Sequence, residues 1–363
     1  MSRPEPRQGI RDMTAHMRGL SSVEGHERII KLSSNENPFG PSPLAVAAAL
    51  AELDTMHLYP EAGQTALRDA LGQRFNLDPA GIFCGAGSDQ VLAMLVQAYT
   101  QPGDEVLFSA NGFAKFKLYA MSVGAVPVAV ADRDFLADVD AILASVNNRT
   151  RLVALANPDN PTSTCLSGTE LRRLHAALPD NVLLVIDAAY ADYVRIADYE
   201  PGSGLVNQAE NVVMSRTFSK IFALAAMRVG WVYAPAHIID VLKRLEPSFP
   251  LTAAGMAAAI AALDDTEHTL RSQKHNDLWR ARFSESLRDL RLHIYPSQTN
   301  FVMARFPDNA GRSAEAADAH LLSRGIIARR FLAPAFKACL RITIGTADEI
   351  TATTNALNEF LAR

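Results

Sequence analysis

Lys220 is the residue of this sequence whose surroundings point most directly to a chemical reaction. It follows two hydroxyl residues, Thr217 and Ser219, and precedes a run of mostly small apolar residues that ends at Arg228. A lysine amine in such surroundings can be kept neutral and can form a Schiff base with an aldehyde cofactor. The two hydroxyls and Arg228 could hold a phosphate, since a planar guanidinium group matches phosphate oxygens in pairs. The segment therefore predicts a site for pyridoxal phosphate.

Three polar residues that follow predicted strands could bind the ring of such a cofactor. Asp187 comes directly after the apolar run 183–186, and Tyr190 follows three positions later. A pyridine nitrogen needs a carboxylate partner to stay protonated and to act as an electron sink. Asn160, in a turn after the apolar run 152–156, could donate a hydrogen bond to the phenolic oxygen of the ring. Each residue alone is also typical of a helix cap or a plain turn, so the prediction depends on their combination with Lys220.

Three further features are compatible with this cofactor and its substrate. The glycine-rich turn 85–88 leads from a predicted strand into a helix, whose first amides suit a phosphate; it is not a dinucleotide motif, because Gln90 interrupts the pattern. Phe113 could stack on the pyridine ring, although a core phenylalanine is the plainer interpretation. Arg341 is a cation within an apolar strand, where it needs an anion such as a substrate carboxylate unless it faces solvent.

Composition and charge exclude several classes of function. The chain has 363 residues, 48% hydrophobic and 20% charged, which is typical of a soluble protein with more than one domain. A net charge of -4 gives no reason to expect nucleic acid or an anionic membrane as a partner. The three cysteines have no metal-ligand or redox spacing, so we expect reduced thiols, no metal and a cytoplasmic location. The start of the chain is polar, and we expect neither a secretory signal nor a membrane span.

The alternation of apolar runs and helical patterns predicts an α/β fold. Continuous apolar runs separated by helices indicate buried, mostly parallel strands. We expect a large domain with a mostly parallel seven-stranded sheet and helices on both faces, followed by a smaller α+β C-terminal domain. The predicted division is 1–42 for an N-terminal arm and substrate loop, 43–250 for the large domain and 251–363 for the small one. The predicted strands of the large sheet are 82–84, 105–109, 125–130, 152–156, 183–186, 212–214 and 229–233, and a short helix is predicted at 12–17.

Eight segments in a fixed order identify a family resemblance over most of the chain. They are LSSNENPFGPSP, LYPE, GAGSDQ, NPDNPT, DAAY, RTFSKIFALAAMRVGW, QTNF and LRITIGT. From about Lys31 onward the chain resembles the fold-type I, pyridoxal-phosphate-dependent class I and II aminotransferases. Within them it is most similar to histidinol-phosphate aminotransferases and their relatives that act on aromatic amino acids.

The resemblance implies a role for each matching residue. Lys220 would carry the cofactor and move the proton between the substrate α-carbon and the cofactor, with Asp187 on the pyridine nitrogen. The implied cofactor contacts are Ser88, Asp89, Phe113, Asn160, Asp187, Tyr190, Thr217, Ser219, Lys220 and Arg228. The implied substrate contacts are Asn37 in the 35–40 loop, Asn300, Arg341 and, near the substrate side chain, Arg330 or its neighbour Arg329. Tyr59 would act as a catalytic residue from a neighbouring subunit, which implies a homodimer.

Four segments depart from the usual family pattern. Ser163 stands where glycine is common, and Ala188 stands where an acidic residue is common. The arm has the segment 16–19, His-Met-Arg-Gly, in place of Tyr-x-x-Gly, and the segment 332–336 differs from the usual Gly-Tyr-Gly-Leu-Pro. The last two lie in parts that would recognise the substrate, so the resemblance implies the cofactor more directly than the substrate.

The leading expectation is transfer of an amino group from histidinol phosphate to 2-oxoglutarate. Arg18 and Arg330 favour a phosphate-bearing substrate, whereas the apolar segment 331–336 favours an aromatic amino acid. A decarboxylase of a phosphorylated amino acid would share the fold and the cofactor residues. A binding domain without activity is the third alternative, and the intact cofactor residues argue against it. In every enzymatic case the expected partners are small amino and keto acids.

Overall fold

The computed structural model describes residues 4–13, 20–23, 25–26, 28–309 and 311–362. Its helices are α1 Gln8–Arg11, α2 Pro43–Ala51, α3 Thr65–Phe75, α4 Ser88–Tyr99, α5 Lys115–Val123, α6 Val139–Ser145, α7 Gly168–Ala177, α8 Ser203–Val206, α9 Ala236–Leu245, α10 Ala253–Asp264, α11 Thr266–Asp289, α12 Ala314–Leu322 and α13 Ala347–Leu361. Single helical turns occur at Leu53–Thr55, Pro79–Gly81, Ala191–Tyr193, Ala225–Met227 and Pro334–Phe336. The helix predicted at 12–17 is not found in its described part, since α1 ends at Arg11, and residues 14–17 lie outside the described residues.

The large sheet has seven strands, as predicted. They are β1 Ile82–Gly85, β2 Glu105–Ser109, β3 Val126–Val130, β4 Thr150–Ala156, β5 Leu183–Asp187, β6 Val212–Thr217 and β7 Gly230–Tyr233. Their order across the sheet is β1-β7-β6-β5-β4-β2-β3. Strand β7 runs antiparallel to both of its neighbours, whereas the pairs from β6 to β3 are all parallel. The prediction of a mostly parallel sheet is therefore confirmed.

Helices cover both faces of the large sheet, so this part of the fold prediction is also confirmed. In β5, Leu184 and Ile186 belong to one apolar cluster, whereas Leu183 and Val185 belong to another. This alternation is the two-residue period of a strand that is buried on both sides. The first cluster includes side chains of α2, α3, α6, α7 and α10, and the second those of α4, α5 and α9.

A second, antiparallel sheet forms the core of the C-terminal part. Its strands are β8 His293–Ile294, β9 Phe301–Arg305, β10 Arg329–Arg330 and β11 Cys339–Thr343, in the order β8-β9-β11-β10. Helices α11, α12 and α13 pack around a separate apolar cluster there. The two-residue strand Ile30–Lys31 pairs with Ile326–Ile327, so the chain before α2 is attached to this part. The predicted smaller α+β unit is confirmed.

A short hairpin extends from the large sheet between β3 and α6. Asp132–Arg133 pairs with Leu136–Ala137, and the turn residues Asp134 and Phe135 have φ values of 52° and 65°. Two consecutive residues with positive φ indicate a type I′ turn. The sequence did not predict this hairpin, because its strands have only two residues each and include polar residues.

Within the described residues, no helix has both the length and the apolar character needed to cross a membrane. No group of histidine, cysteine and acidic side chains in the same part of the chain could hold a metal ion.

Candidate active site

One cavity of about 250 Å³ contains all ten of the predicted cofactor contacts. They are Ser88, Asp89, Phe113, Asn160, Asp187, Tyr190, Thr217, Ser219, Lys220 and Arg228. Most of these residues meet because they end or follow strands that run in one direction, and open α/β sheets bind their ligands at the carboxyl ends of such strands. Arg228 precedes a strand instead of following one. Because that strand, β7, runs antiparallel to its neighbours, its start lies at the same edge of the sheet.

Lys220 extends into this cavity from the turn after β6. Its amine donates a hydrogen bond to the carbonyl oxygen of Ser34 at 3.4 Å, which is long for such a bond. The same amine lies 5.8 Å from the centre of the Tyr190 ring. Among the described residues, that single long bond is the only hydrogen bond of the amine, so little has to be broken when the amine reacts.

Asp187 presents a buried carboxylate to the same cavity. Only 5% of its surface is exposed, and its Oδ1 atom has no hydrogen-bond partner among the described residues. Burial, reinforced by the nearby charge of Asp89, raises the pKa of Asp187 to about 7. An unpartnered buried carboxylate oxygen is costly, and a protonated ring nitrogen would satisfy it. The residue therefore fits the pyridine end of pyridoxal phosphate.

Asn160 and Tyr190 approach the cavity from two different strands. The Oδ1 atom of Asn160 accepts a hydrogen bond from Nη1 of Arg341, which turns the amide nitrogen of Asn160 away from that guanidinium group. The hydroxyl of Tyr190 accepts a bond of 2.8 Å from Nδ2 of Asn35. Asn35 was not singled out in the sequence, although it lies in the predicted 35–40 loop. The two peptide bonds Asn157–Pro158 and Asn160–Pro161 are both cis.

The opposite end of the cavity fits a phosphate. Gly87 precedes α4 with a φ of 83°, and a Cβ atom there would lie 2.3 Å from Nη2 of Arg228. Only glycine lets the guanidinium group lie against this turn. Nη1 of Arg228 contacts the Ala225 carbonyl at 3.0 Å and Oγ of Ser219 at 3.5 Å. Oγ of Ser219 in turn accepts a bond of 3.0 Å from Thr217. Two hydroxyls, a guanidinium group and the first amides of α4 thus face one another.

Asp89 lies beside the end of the cavity that fits a phosphate, and neighbouring side chains offset its negative charge. Its carboxylate accepts a hydrogen bond of 2.8 Å from the Tyr119 hydroxyl and lies 3.8 Å from the Lys115 amine. Burial and the charge of Asp89 raise the pKa of Tyr119, so this phenol stays protonated and remains a donor. The backbone of Asp89, rather than its side chain, therefore suits contact with an anion.

A second cavity of about 490 Å³ adjoins the first. Both are lined by Phe113, Asn160 and Lys220, so a molecule in the second cavity can reach the lysine amine. Apolar side chains dominate one wall of the second cavity; they include Phe331, Leu332, Ala333 and Phe336. Besides Lys220, four cationic side chains line it; they are Lys115, Arg329, Arg330 and Arg341.

Arg341 is the buried cation of this second cavity. Its Nη2 atom donates to the carbonyl oxygen of Ser33 at 2.6 Å, whereas its Nε atom has no partner among the described residues. Burial lowers the pKa of Arg341 to about 10, which still leaves it charged at neutral pH. None of its hydrogen bonds within the described residues is to a carboxylate. A buried guanidinium group of this kind fits an anionic substrate group.

Arg330 and Arg329 line the cavity from β10. Arg330 forms an ion pair of 2.7 Å with Glu315 on α12, an interaction that the sequence did not predict and that offsets part of its charge. Arg329 lies 5.5 Å from the centre of the Phe331 ring, and burial lowers its pKa. Arg18, the other cation predicted to favour a phosphate, lies outside the described residues.

Two predicted substrate contacts, Asn37 and Asn300, do not line either cavity. The amide nitrogen of Asn37 donates to the Ile221 carbonyl at 2.8 Å and to Oγ of Ser272 at 3.0 Å. That of Asn300 donates to the Asn35 carbonyl at 3.0 Å. These amides hold the 35–40 loop in place, and contact of either residue with the substrate stays a prediction.

Tyr59, the predicted catalytic tyrosine, is also outside the two cavities of its own chain. It is 81% exposed, and its ring stacks on Phe249 at 4.3 Å between ring centres. Any contact between Tyr59 and a cofactor would thus require a second subunit.

Comparisons with known proteins agree with this geometry. The family model for aminotransferase class I and II matches residues 27–357. The histidinol-phosphate aminotransferase of Paramagnetospirillum magneticum is 47% identical, with 99% of each chain covered. That of Granulibacter bethesdensis is 46% identical, covering 100% of this chain and 98% of the relative. Among solved structures, a histidinol-phosphate aminotransferase from Sinorhizobium meliloti in complex with pyridoxal-5'-phosphate has a TM-score of 0.85 at 29% identity and covers 92% of both chains. The chain belongs to the class I and II aminotransferase family.

Proposed function

We propose that the protein transfers the amino group of histidinol phosphate to 2-oxoglutarate, giving imidazole-acetol phosphate and glutamate, with pyridoxal phosphate as cofactor. The observation that carries this proposal is the cavity in which Lys220, the unpartnered carboxylate of Asp187 and the guanidinium group of Arg228 face one another. The substrate assignment is supported by full-length relatives named histidinol-phosphate aminotransferases at 46% to 47% identity.

The residues of the first cavity would hold the cofactor along its whole length. Asp187 would pair with the pyridine nitrogen, Phe113 would cover the ring, and Asn160 and Tyr190 would bond the phenolic oxygen. The phosphate contacts would be Ser88, Asp89, Thr217, Ser219 and Arg228. When bound, pyridoxal phosphate supplies an electron sink that stabilises negative charge at the substrate α-carbon.

The chain's own groups would bind the substrate and move its proton. Histidinol phosphate carries its phosphate-bearing carbon where an amino acid carries its carboxylate, so Arg341 can serve both substrates of the exchange. The imidazole ring would then lie against the apolar wall formed by Phe331 and Phe336. The amine of Lys220 would take the proton from the α-carbon and pass it to the cofactor, as a general base and then a general acid.

The assignment is tested by single-turnover reactions with histidinol phosphate, phenylalanine, tyrosine and glutamate. We expect the largest kcat/KM for histidinol phosphate, because it combines a ring with an anion that can reach Arg341. The phenylalanine-lined wall favours aromatic amino acids as a second candidate, so rates for phenylalanine well above those for histidinol phosphate would overturn the first choice. Carbon dioxide release without formation of glutamate from 2-oxoglutarate would exclude transamination.

We also propose a homodimer in which Tyr59 reaches the first cavity of the partner subunit. The support is an exposed apolar surface around α2 and the segment after it. Its members are Leu44, Val46, Leu50, Leu53, Met56, Leu58, Tyr59 and Phe249, each between 41% and 81% exposed. So large an apolar patch is unusual for a monomer.

Light scattering at micromolar concentration is expected to give twice the mass of one chain. The double variant Leu50→Asp, Met56→Asp should lower this mass towards that of one chain, because it introduces two like charges on each side of the interface. A monomeric parent protein with full activity would contradict both the dimer and the role of Tyr59.

We further propose that the chain forms two domains and that the protein is cytoplasmic. Two separate apolar clusters, one around the large sheet and one around β9 and β11, support a division into two domains. The packing of α10 in the larger cluster favours a boundary after that helix rather than at residue 250. A cytoplasmic location is supported by three cysteines without disulfide bonds.

A further inference from the structure

The hairpin between β3 and α6 has an unusual residue at its tip. Type I′ turns favour asparagine, aspartate and glycine, because both turn residues need a positive φ. Asp134 meets this preference, whereas Phe135 has a φ of 65°, which is rare for a bulky side chain. A phenylalanine in this conformation needs contacts elsewhere in the fold that hold it there.

Those contacts are rings of the C-terminal part. The Phe135 ring lies 4.8 Å from the ring of Tyr295 and 5.0 Å from that of Phe336, centre to centre. Phe336 in turn lies 5.3 Å from Phe331. Phe331 and Phe336 line the second cavity, so Phe135 packs behind its apolar wall. A residue of the hairpin between β3 and α6 thus supports a wall formed by the segment between β10 and β11.

The backbone of the same residue is attached to the turn that carries Asn160. The Thr164 hydroxyl donates to the Phe135 carbonyl at 2.8 Å, and it lies 2.9 Å from the hydroxyl of Thr162. The amide of Asp159, next to Asn160, donates to the Thr164 carbonyl at 2.8 Å. Phe135 therefore connects the turn of Asn160, through its carbonyl, with the apolar wall, through its ring.

We propose that Phe135 is a positioning residue that sets the distance between the apolar wall of the second cavity and Asn160, and thereby selects donors that carry a ring. The inference rests on the proposed function, in which the donor ring lies against Phe331 and Phe336. A donor with a methyl side chain does not extend to this wall, so it reports on the reaction without the wall.

The test compares three amino donors, histidinol phosphate, phenylalanine and alanine, in single-turnover reactions of the holoenzyme. Phe135→Ala is expected to lower kcat/KM for the two ring-bearing donors about tenfold relative to kcat/KM for the donor alanine. The change should appear mainly in KM, since two aromatic contacts are lost. Phe135→Leu should restore part of this ratio. Leu136→Ala, an exposed neighbour on the same hairpin, is the matched control and should leave the ratio unchanged.

Three outcomes would overturn the inference. The first is an unchanged ratio of kcat/KM between ring-bearing donors and alanine in Phe135→Ala. The second is an equal loss of kcat/KM for all three donors that follows the loss of Tm, since this indicates only a structural role. Phe135→Gly, which suits the positive φ, keeps the ring deletion testable where the alanine variant is too unstable. A parent protein that reacts with phenylalanine but not with histidinol phosphate would refute the proposed function alone, because the ratio of phenylalanine to alanine still measures Phe135. Reaction with none of the donors would refute both.

Discussion

Replacement of Lys220 by alanine is expected to reduce transamination by about 10⁴-fold, the upper range for a general acid and base. The amine is the group in the first cavity that can both accept the α-proton and pass it to the cofactor, and its one long bond to Ser34 leaves it ready to do so. Borohydride treatment followed by mass spectrometry should leave the mass of the cofactor on the parent chain and not on the variant. A small external amine should restore part of the activity, because it can carry the same proton.

Lys117→Ala is the matched control for this experiment, since Lys117 is an exposed lysine on α5. It should keep the parent rate and the parent mass change. If Lys220→Ala retained more than about a tenth of the parent rate, which corresponds to a rise of less than about 1.4 kcal/mol in the activation barrier, Lys220 would not be the proton carrier and the proposed chemistry would be wrong.

Asp187→Asn is expected to lower kcat/KM by about 10²- to 10³-fold, the range that corresponds to the loss of one partner of a buried charge pair. The amide has nearly the shape of the carboxylate but cannot stabilise a protonated ring nitrogen. The affinity for pyridoxal phosphate, followed by its visible absorbance, should fall in the same variant. An active variant with unchanged affinity would refute the assignment of Asp187 to the ring nitrogen.

The same variant should also change how the cofactor-free protein responds to pH. The pKa of Asp187 is raised to about 7 in the fold, above the value of about 3.9 in an unfolded chain. Between these values the folded protein binds a proton that the unfolded chain has lost, so the free energy of unfolding falls as pH rises. From about pH 4 to about pH 7, the range between the two pKa values, the Tm of the cofactor-free parent should fall relative to that of Asp187→Asn. Asp159, whose pKa is also raised, to about 8, is present in both proteins.

The sequence predicts the large sheet well because its strands are buried on both sides. Continuous apolar runs then mark them directly, and each predicted strand overlaps an observed one. The end of β6 extends three residues further than predicted, since Ser215, Arg216 and Thr217 are polar although they are buried. Arg216 is accommodated there by an ion pair of 2.6 Å with Asp192, a contact that depends on the folded chain.

The sequence singled out the residues at strand ends that converge in one cavity, but it could not decide which loop residues face a cavity. All ten predicted cofactor contacts end, follow or precede strands of one sheet, and they line one cavity. Asn35 and Asn37 are two residues apart in a loop without period, and only tertiary contacts decide that Asn35 faces the cavity and Asn37 does not. Phe135 could not be predicted at all, because its partners, Tyr295 and Phe336, lie in the other half of the chain.

The position of β7 between β1 and β6 has a consequence for the folding of the protein during its synthesis on the ribosome. Gly85 of β1 pairs with Gly230 of β7, so the glycine-rich turn and Arg228 meet only after most of the large domain has been synthesised. Contacts of such long sequence separation form late, because a long loop must close first. A nascent chain shorter than about residue 233 cannot complete the phosphate end of the site, and its β1 edge remains exposed to other chains. We therefore expect the yield of native protein to depend on the cofactor concentration during synthesis, because bound cofactor stabilises the fold in which β7 has inserted.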